Sequence, residues 1–286
     1  MKLKKFSYFI IFLFLFFILV IPFLYLFFQS FFNYNPFENN RYFIGIQNYL
    51  NLMKDLDFLY SLYNSFSFSF FSSILSVLFG IALYIILNKK KDIRFYIPFL
   101  VIPFFLSPVV VSILFFLIID PQIGLLAGIS TLLNFNFTNE IFGNKNLIFN
   151  ALVITDIWQW SGIFFLLILL KIKSIPEKYS DLILTNNGDK RIFNVLIKMP
   201  YLFSFILALI LFKFFWNLGF VEIIDTVTAG GSPHGSMRMF PIWIDRVYFR
   251  SSDFGYGASA AIIFYLISAI GLILFFFLIK KQTDLR

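Results

Sequence analysis

Apolar runs of about 20 residues recur along this chain and restrict its fold more than any other feature of the sequence. Each run is long enough to cross the ~30 Å hydrocarbon layer of a bilayer as a helix. Backbone groups inside a bilayer have to be hydrogen-bonded within the protein, and a helix satisfies them all. The chain is 60% hydrophobic and contains 45 Phe residues, which excludes an ordinary soluble domain. The sequence therefore predicts an all-α integral membrane protein.

Six of these runs are predicted to be transmembrane helices. Residues 1–63 would carry the first span and an outer segment, and residues 64–286 a five-helix core. A cytoplasmic loop, residues 172–200, would join the fourth and fifth spans. The approximate predicted spans are residues 6–28, 64–87, 95–119, 147–170, 201–224 and 258–279.

The distribution of basic residues predicts how the chain is oriented in the membrane. With the amino terminus inside, sixteen of the 23 Lys and Arg residues fall in cytoplasmic segments, six in outer segments, and Lys213 within a span. Cytoplasmic loops of membrane proteins carry such an excess of positive charge. We therefore expect both termini to be cytoplasmic, and we assign the net charge of +8 to these loops and not to nucleic-acid binding.

A polar island between the fourth and fifth predicted spans is predicted to form two short helices at the cytoplasmic membrane surface. Ser174 and Glu177 have capping-box spacing, and Pro176 is tolerated in a first helical turn. The Asn-Asn-Gly sequence that ends at Gly188 would stop the first helix, because these residues tolerate left-handed backbone angles. A second helix would follow and end before Pro200.

This island resembles the EAA loop of ABC-transporter permeases, the cytoplasmic hairpin that docks into the ATPase. It has the Ile-Pro and Ile-x-x-Pro pairs at the family's separation, and an Asp at the position of the family's Glu. It departs from the pattern because Leu and Ile replace the two Ala residues, and the Gly falls one residue late. The alternative is an ordinary surface loop. The resemblance implies an ATPase-coupling role for Ile175, Pro176, Glu177, Asp181, Asn187, Gly188, Ile197 and Pro200.

Other motifs extend the resemblance over nearly the whole chain. The Gly-Gly-Ser-Pro loop is similar to the Gly-Gly-Pro segment of the first permease subunits of maltose, other sugar and glycerol-3-phosphate importers, with one Ser inserted. The resemblance implies that Gly230, Gly231 and Pro233 approach the binding protein or the solute path; a flexible exposed turn is the alternative. The remaining motifs are Phe43-Ile-Gly-Ile-Gln-Asn-Tyr49, Ile102-Pro103, Asp120-Pro121, Trp158-x-Trp160-x-Gly162 and Gly255-Tyr-Gly-Ala258.

The resemblance implies a six-helix permease subunit of a binding-protein-dependent importer in the bacterial cell (inner) membrane. Its solute would be a sugar or a related polyol. Its partners would be a second homologous permease, a dimeric ABC ATPase, an extracellular or periplasmic solute-binding protein and membrane lipid. The sequence has no Gly-x-x-x-x-Gly-Lys-Ser/Thr loop, so ATP-Mg would bind to the partner ATPase and no cofactor to this chain.

Asp156 and Lys213 are ionisable residues within predicted spans, where such residues are costly and are candidates for function. At 1.5 Å per residue they lie roughly 14 Å and 16 Å from the outer ends of consecutive spans. They would form an ion pair, or would line the solute path. Trp160 would also line this path, or would serve helix packing. The alternative places Lys213 near a wet interface with the partner subunit.

Two other functional classes fit the sequence less well. A secondary, ion-coupled transporter would explain the six spans and the charges within them, but not the polar island or the Gly-Gly-Ser-Pro loop. A membrane enzyme would need catalytic groups. His234, the sole His, lies in a predicted outer loop, and Cys is absent. We predict no catalytic residue and no metal site, because no metalloprotease or serine-hydrolase motif is present.

Overall fold

The chain is mostly helical in the computed structural model. The structure describes residues 2–38, 40–88, 92–120, 124–132, 144–174, 199–219, 225 and 237–283. A π-helical turn, Asp245–Arg250, lies between the last two helices. The elements are α1 (Lys2–Gln29), β1 (Phe32–Asn35), β2 (Asn40–Phe43), α2 (Gln47–Leu52), α3 (Leu56–Leu87), α4 (Ile93–Phe105), α5 (Pro108–Ile119), α6 (Leu125–Leu132), α7 (Lys145–Lys173), α8 (Met199–Gly219), α9 (Phe240–Ile244) and α10 (Phe254–Thr283).

Four of the described helices are long and apolar enough to cross a membrane. The bent pair formed by α4 and α5 would count as a fifth span, while the apolar part of α1, Phe16–Gln29, is shorter. The chain is therefore a multi-pass membrane protein by the length and composition of its helices. The four candidate spans are Leu56–Leu87, Lys145–Lys173, Leu202–Gly219 and Phe254–Ile273.

The chain divides into two compact units. The hairpin unit comprises Met1–Ser61 and Phe240–Lys281, and the core unit comprises Leu62–Met239 and Gln282–Arg286. The hairpin unit takes its name from β1 and β2, which pair antiparallel. The core unit contains α4 to α8 and most of α3, and its helices surround α7.

The first sequence motif holds the hairpin unit together after α1. Gly45 adopts a positive φ of 59°, which a residue with a side chain adopts only with strain. This turn allows Asn48 to donate hydrogen bonds to the carbonyls of Ser30 and Phe32, at 2.9 Å and 3.0 Å. The Gly-x-x-Asn spacing therefore ties α2 to the segment between the end of α1 and the start of β1.

The Gly255-Tyr-Gly-Ala motif packs the start of α10 within the same unit. A Cβ at Gly255 would lie 1.9 Å from the carbonyl oxygen of Phe32, so only glycine fits this position. The Tyr256 hydroxyl donates to Asp55 at 2.9 Å. The Tyr248 ring stacks on Phe254, with ring centroids 4.4 Å apart. Backbone approach and aromatic contacts thus position the last helix.

In the core unit, α7 is the most buried of the candidate spans and packs against α4, α5 and α8. Gly162 makes the contact with α4 possible, because a Cβ there would lie 1.7 Å from the carbonyl oxygen of Leu100. A Cβ at Gly80 of α3 would lie 2.8 Å from Phe164 Cβ, so α3 also approaches α7 through a glycine. Helix association within membranes depends on small residues that let backbones approach. The glycine in the Trp-x-Trp-x-Gly motif is therefore a packing residue.

The structure corrects the shape of the predicted third span. Residues 95–119 do not form one straight helix, because α4 and α5 are bent by 100° at Leu106 and Ser107. Ser107 caps α5 by accepting a hydrogen bond from the Val110 amide, and Pro108 is the first residue of α5. Proline disfavours a helical conformation at the residue before it, so Ser107-Pro108 breaks an otherwise continuous apolar run.

Two further boundaries differ from the prediction. The second predicted span begins earlier, because α3 starts at Leu56 and not near residue 64. No helix was predicted between the third and fourth spans, but the structure contains the short helix α6 (Leu125–Leu132) there. A Cβ at Gly124 would lie 2.3 Å from the carbonyl oxygen of Asp120, which explains the glycine in the Asp-Pro-x-x-Gly sequence.

We predict that Gly162→Ala destabilises the core unit by about 1–3 kcal/mol, because the added methyl group forces α4 away from α7. The measurement is thermal unfolding in detergent, followed by tryptophan fluorescence.

Gly128→Ala on α6 is the matched control, since a Cβ there would meet nothing within 4 Å. It should be neutral, or stabilising by up to ~1 kcal/mol through helix propensity. Equal effects of the two variants would contradict the close approach of α4 and α7.

Candidate functional site

A buried polar cluster joins three helices of the core unit. It consists of Ser72 on α3, Asp156 on α7, and Lys213 and Asn217 on α8. Lys213 is 0% exposed and Asp156 is 2% exposed. Removing two charges from water is costly unless they pair closely and their other hydrogen-bonding groups are satisfied. This requirement explains why the cluster contains two further polar side chains.

The Lys213 ammonium group has three interaction partners among the described residues. It donates to Asp156 Oδ1 at 2.8 Å and to Asn217 Oδ1 at 2.6 Å. It also lies 3.9 Å from the centroid of the Trp160 ring, whose face attracts cations. Lys213 and Asn217 are four residues apart on α8, so helix geometry places them on the same face.

The Asp156 carboxylate is equally well satisfied. Its Oδ2 accepts hydrogen bonds from the Ser72 hydroxyl and from Asn217 Nδ2, the latter at 3.3 Å. Its Oδ1 accepts from Lys213. Asn217 Nδ2 also donates to Ser72 Oγ at 3.1 Å, which closes the network. A fully connected network of this kind can remain in an apolar interior.

A cavity of about 330 Å³ lies beside the cluster within the core unit. This volume lies at the lower end of the range typical of small-molecule sites. Trp160 is central to its aromatic wall, with ring centroids 5.0 Å from Phe104 and 5.6 Å from Trp216. The polar lining residues are Asp156, Gln159, Lys213 and Asn217.

Gln159 connects the cavity to the break between α4 and α5. Its Nε2 donates to the carbonyl oxygen of Leu106 at 3.2 Å, and Leu106 is the residue that follows the last residue of α4. A carbonyl released by a helix break within a membrane needs such a donor. Leu106 and Pro108 also line the cavity, so the break contributes directly to its wall.

The structure brings together the three residues that the sequence suggested for the translocation path. Asp156 and Lys213 form an ion pair, which was one of the open alternatives, and Trp160 covers Lys213. Trp158, two residues away, is 45% exposed while Trp160 is 7% exposed, so the two rings lie on different faces of α7. Lys213 is buried inside the chain and not at a wet surface.

Sequence reasoning missed Ser72, Gln159 and Asn217. A signal for Asn217 was available, because a polar residue four positions after a buried lysine lies on the same helix face. Gln159 carried a similar signal, because it is a polar residue three positions after Asp156, between Trp158 and Trp160. Ser72 carried none, since it is one of many Ser residues along α3.

Most of the predicted coupling and outer-loop residues lie outside the described residues. Only Pro200 falls within them, as the second residue of α8, where its missing N–H group costs little. Across the described part of the chain, no group of His, Asp or Glu side chains is arranged to hold a metal ion. The undescribed residues are Ile175, Pro176, Glu177, Asp181, Asn187, Gly188, Ile197, Gly230, Gly231 and Pro233.

Relatives among characterised proteins are transport permeases. The trehalose/maltose transport system permease protein MalF of Thermococcus litoralis is 25% identical over 226 residues, covering 79% of this chain and 76% of that protein. The sn-glycerol-3-phosphate transport system permease protein UgpA of Yersinia pestis is 23% identical over 238 residues, covering 82% and 79%. The multiple sugar-binding transport system permease protein MsmF of Streptococcus mutans is 26% identical over 258 residues, covering 89% and 87%.

Solved structures of a similar fold come from ABC importers. A chain of a bacterial ABC transporter involved in the import of the acidic polysaccharide alginate has a TM-score of 0.78 at 15% identity, covering 98% of this chain and 96% of that one. A chain of a bacterial alginate ABC transporter in complex with an alginate pentasaccharide-bound periplasmic protein has a TM-score of 0.79 at 15% identity, covering 96% and 92%. No protein-family profile matches the chain.

These comparisons confirm the resemblance found in the sequence. The relatives are permeases of sugar and glycerol-3-phosphate transport systems and not enzymes. The fold is that of an ABC importer permease.

We predict that Asp156→Leu and Lys213→Met each destabilise the protein by about 3–5 kcal/mol, because each leaves an unpaired buried charge. The double variant should recover much of this loss, since an apolar pair of similar volume needs no partner. Thermal unfolding of the four proteins in a double-mutant cycle measures the coupling energy.

Arg250→Gln is the matched control, because it removes the ion pair between Arg250 and Asp245. This pair has the same 2.8 Å length, but its side chains are 71% and 47% exposed. It should change stability by no more than about 1 kcal/mol. Additive losses in the double variant would contradict the buried pair.

Proposed function

We propose that this chain is the membrane-spanning permease subunit of an ATP-driven importer and moves a sugar or related polyol solute delivered by an extracellular binding protein. The observation that carries this proposal is the match to permease relatives along most of both chains, 79–89% of this one. The fold agrees with it over nearly the full length. The comparisons give no support to an ion-coupled transporter.

The proposal includes six spans with both termini cytoplasmic and a coupling hairpin between the fourth and fifth spans. Support for the position of the hairpin comes from its neighbours. α7 ends with Lys171 and Lys173 in its last turn, and α8 begins at Met199. The segment between them joins the ends of two helices that pack against each other. The basic last turn of α7 is typical of the cytoplasmic side.

Energy for transport would come from a partner. The sequence contains no phosphate-binding loop of the Gly-x-x-x-x-Gly-Lys-Ser/Thr type, so we assign ATP-Mg binding to a dimeric ATPase subunit. The further partners of the proposed assembly are a second homologous permease and a solute-binding protein. Closure of the ATPase would move the hairpin, and the hairpin would move α7 and α8.

The polar cluster gives this motion a route to the cavity. Asp156 and Lys213 tie α7 to α8 in the interior of the core unit, so a shift of the hairpin carries both helices together. Ser72 extends the connection to α3. A change in the arrangement of these helices would alter the cavity beside Trp160, which we propose as part of the solute path.

Cysteine cross-linking tests the proposed coupling hairpin, because the chain has no native Cys. We expect Asp181→Cys or Gly188→Cys to cross-link to a single cysteine on the ATPase subunit, and to resist a membrane-impermeant maleimide added to intact cells. Phe37→Cys is the control, since Phe37 is 85% exposed in the predicted outer segment and should react with the reagent. Labelling of Gly188→Cys from outside would contradict the orientation.

ATP hydrolysis tests the function as a whole. In proteoliposomes that contain both permeases and the ATPase, solute-loaded binding protein should raise the rate of ATP hydrolysis, because the permease transmits occupancy to the motor. Omission of the ATPase should abolish uptake. Uptake that continues without the ATPase would contradict the proposed function.

A further inference from the structure

We propose that the cavity of the core unit accepts an uncharged, polyhydroxylated solute, and that Asp156 enforces this selection by neutralising Lys213. The inference rests on the proposed function and adds the charge class of the solute. Similar proteins do not decide this class. Their names include a neutral disaccharide system, a glycerol-3-phosphate system and an importer of an acidic polysaccharide.

The charges at the cavity cancel. Of the described residues that line it, only Asp156 and Lys213 are charged, one negative and one positive. Their charged atoms are 2.8 Å apart, so the field of each is largely compensated at the distance of a bound solute. A path for phosphate or carboxylate solutes would instead present an uncompensated cation.

The N–H donors of the Lys213 ammonium group already have partners within the protein. An ammonium group offers three hydrogen-bond donors. Lys213 points them at Asp156 Oδ1, at Asn217 Oδ1 and at the ring of Trp160. An anionic solute would have to displace one of these partners, and displacing Asp156 would leave a buried carboxylate unpaired.

The other groups that line the cavity, apart from the ion pair, are suited to a neutral polyol. Gln159 is 4% exposed and lines the cavity, and its Nε2 is bound to the carbonyl of Leu106. Within the described residues its Oε1 has no hydrogen-bond partner, so it can accept a bond from a solute hydroxyl. The adjoining wall is aromatic, with Trp160 and Phe104 in edge contact. Apolar C–H faces of a saccharide pack on such rings, while its hydroxyl groups need acceptors such as Oε1.

Collisional quenching of tryptophan fluorescence tests this inference without knowledge of the solute. The probe is the full chain in lipid nanodiscs, carrying Trp158→Phe and Trp243→Phe, which leaves Trp160 and Trp216 at the cavity. Iodide, an anion, and acrylamide, which is neutral, are compared at constant ionic strength. The ratio of their Stern–Volmer constants reports how strongly the cavity attracts anions.

We expect a low iodide-to-acrylamide ratio in this background, because the cavity is neutral. Asp156→Asn should raise the ratio about threefold or more, because it leaves Lys213 as an unpaired cation. At about 6 Å, one such charge attracts iodide by that factor even at the dielectric constant of water. Adding Lys213→Gln to Asp156→Asn should restore the low ratio. A high ratio before any charge is changed, or no rise in folded Asp156→Asn, would overturn the inference.

Lys213→Gln alone provides a second route if Asp156→Asn does not fold. It should lower iodide quenching and raise quenching by caesium, because it leaves the anion unpaired. An unchanged response to both ions in this folded variant would also overturn the inference.

The outcome can be separated from that of the proposed function. Quenching reports charge at the cavity and requires no transport. If the quenching ratios are as expected but the solute does not stimulate ATP hydrolysis, only the importer assignment is wrong. Conversely, ATP hydrolysis stimulated by glycerol 3-phosphate and its binding protein would support the importer and refute the neutral solute.

Discussion

The ion pair between Asp156 and Lys213 is the interaction on which the arrangement of the core unit depends. It removes two charges from solvent inside predominantly apolar helices, which is costly unless both groups are fully hydrogen-bonded. Ser72 and Asn217 meet that requirement. The pair therefore fixes the rotation of α7 and α8 about their axes, because any other rotation would leave a charge without its partner.

A second constraint is the break between α4 and α5, and it meets the first at the cavity. Pro108 interrupts an apolar run, and the interruption frees the carbonyl of Leu106. Gln159 satisfies this carbonyl from α7, three residues beyond Asp156. One turn of α7 therefore serves both the ion pair and the break, while Gly162 in the next turn lets α4 approach. The cavity is the space that these contacts leave open.

The sequence predicted the parts of this structure that depend on long-range hydropathy. The span predicted at residues 147–170 corresponds to α7, Lys145–Lys173, because its long apolar run ends close to a Lys on each side. The similar depth of Asp156 and Lys213 allowed their pairing to be proposed. Hydropathy did not reveal the bend at Ser107, since both sides of it are apolar. It also gave no means of choosing Ser72 among the serines of α3, because that choice depends on packing in three dimensions.

The position of the polar cluster along α7 and α8 has a mechanical consequence. Asp156 lies 17 residues before the end of α7, and Lys213 lies 14 residues after the start of α8. At 1.5 Å per residue these stretches form stiff arms of roughly 25 Å and 21 Å. The two arms are clamped at the far end from the segment that joins them. A force on that segment would act on both arms at once, and the ion pair would resist their separation. The residues of α7 that line the cavity lie between Asp156 and Leu167, so the cavity flanks the arm through which this force would pass.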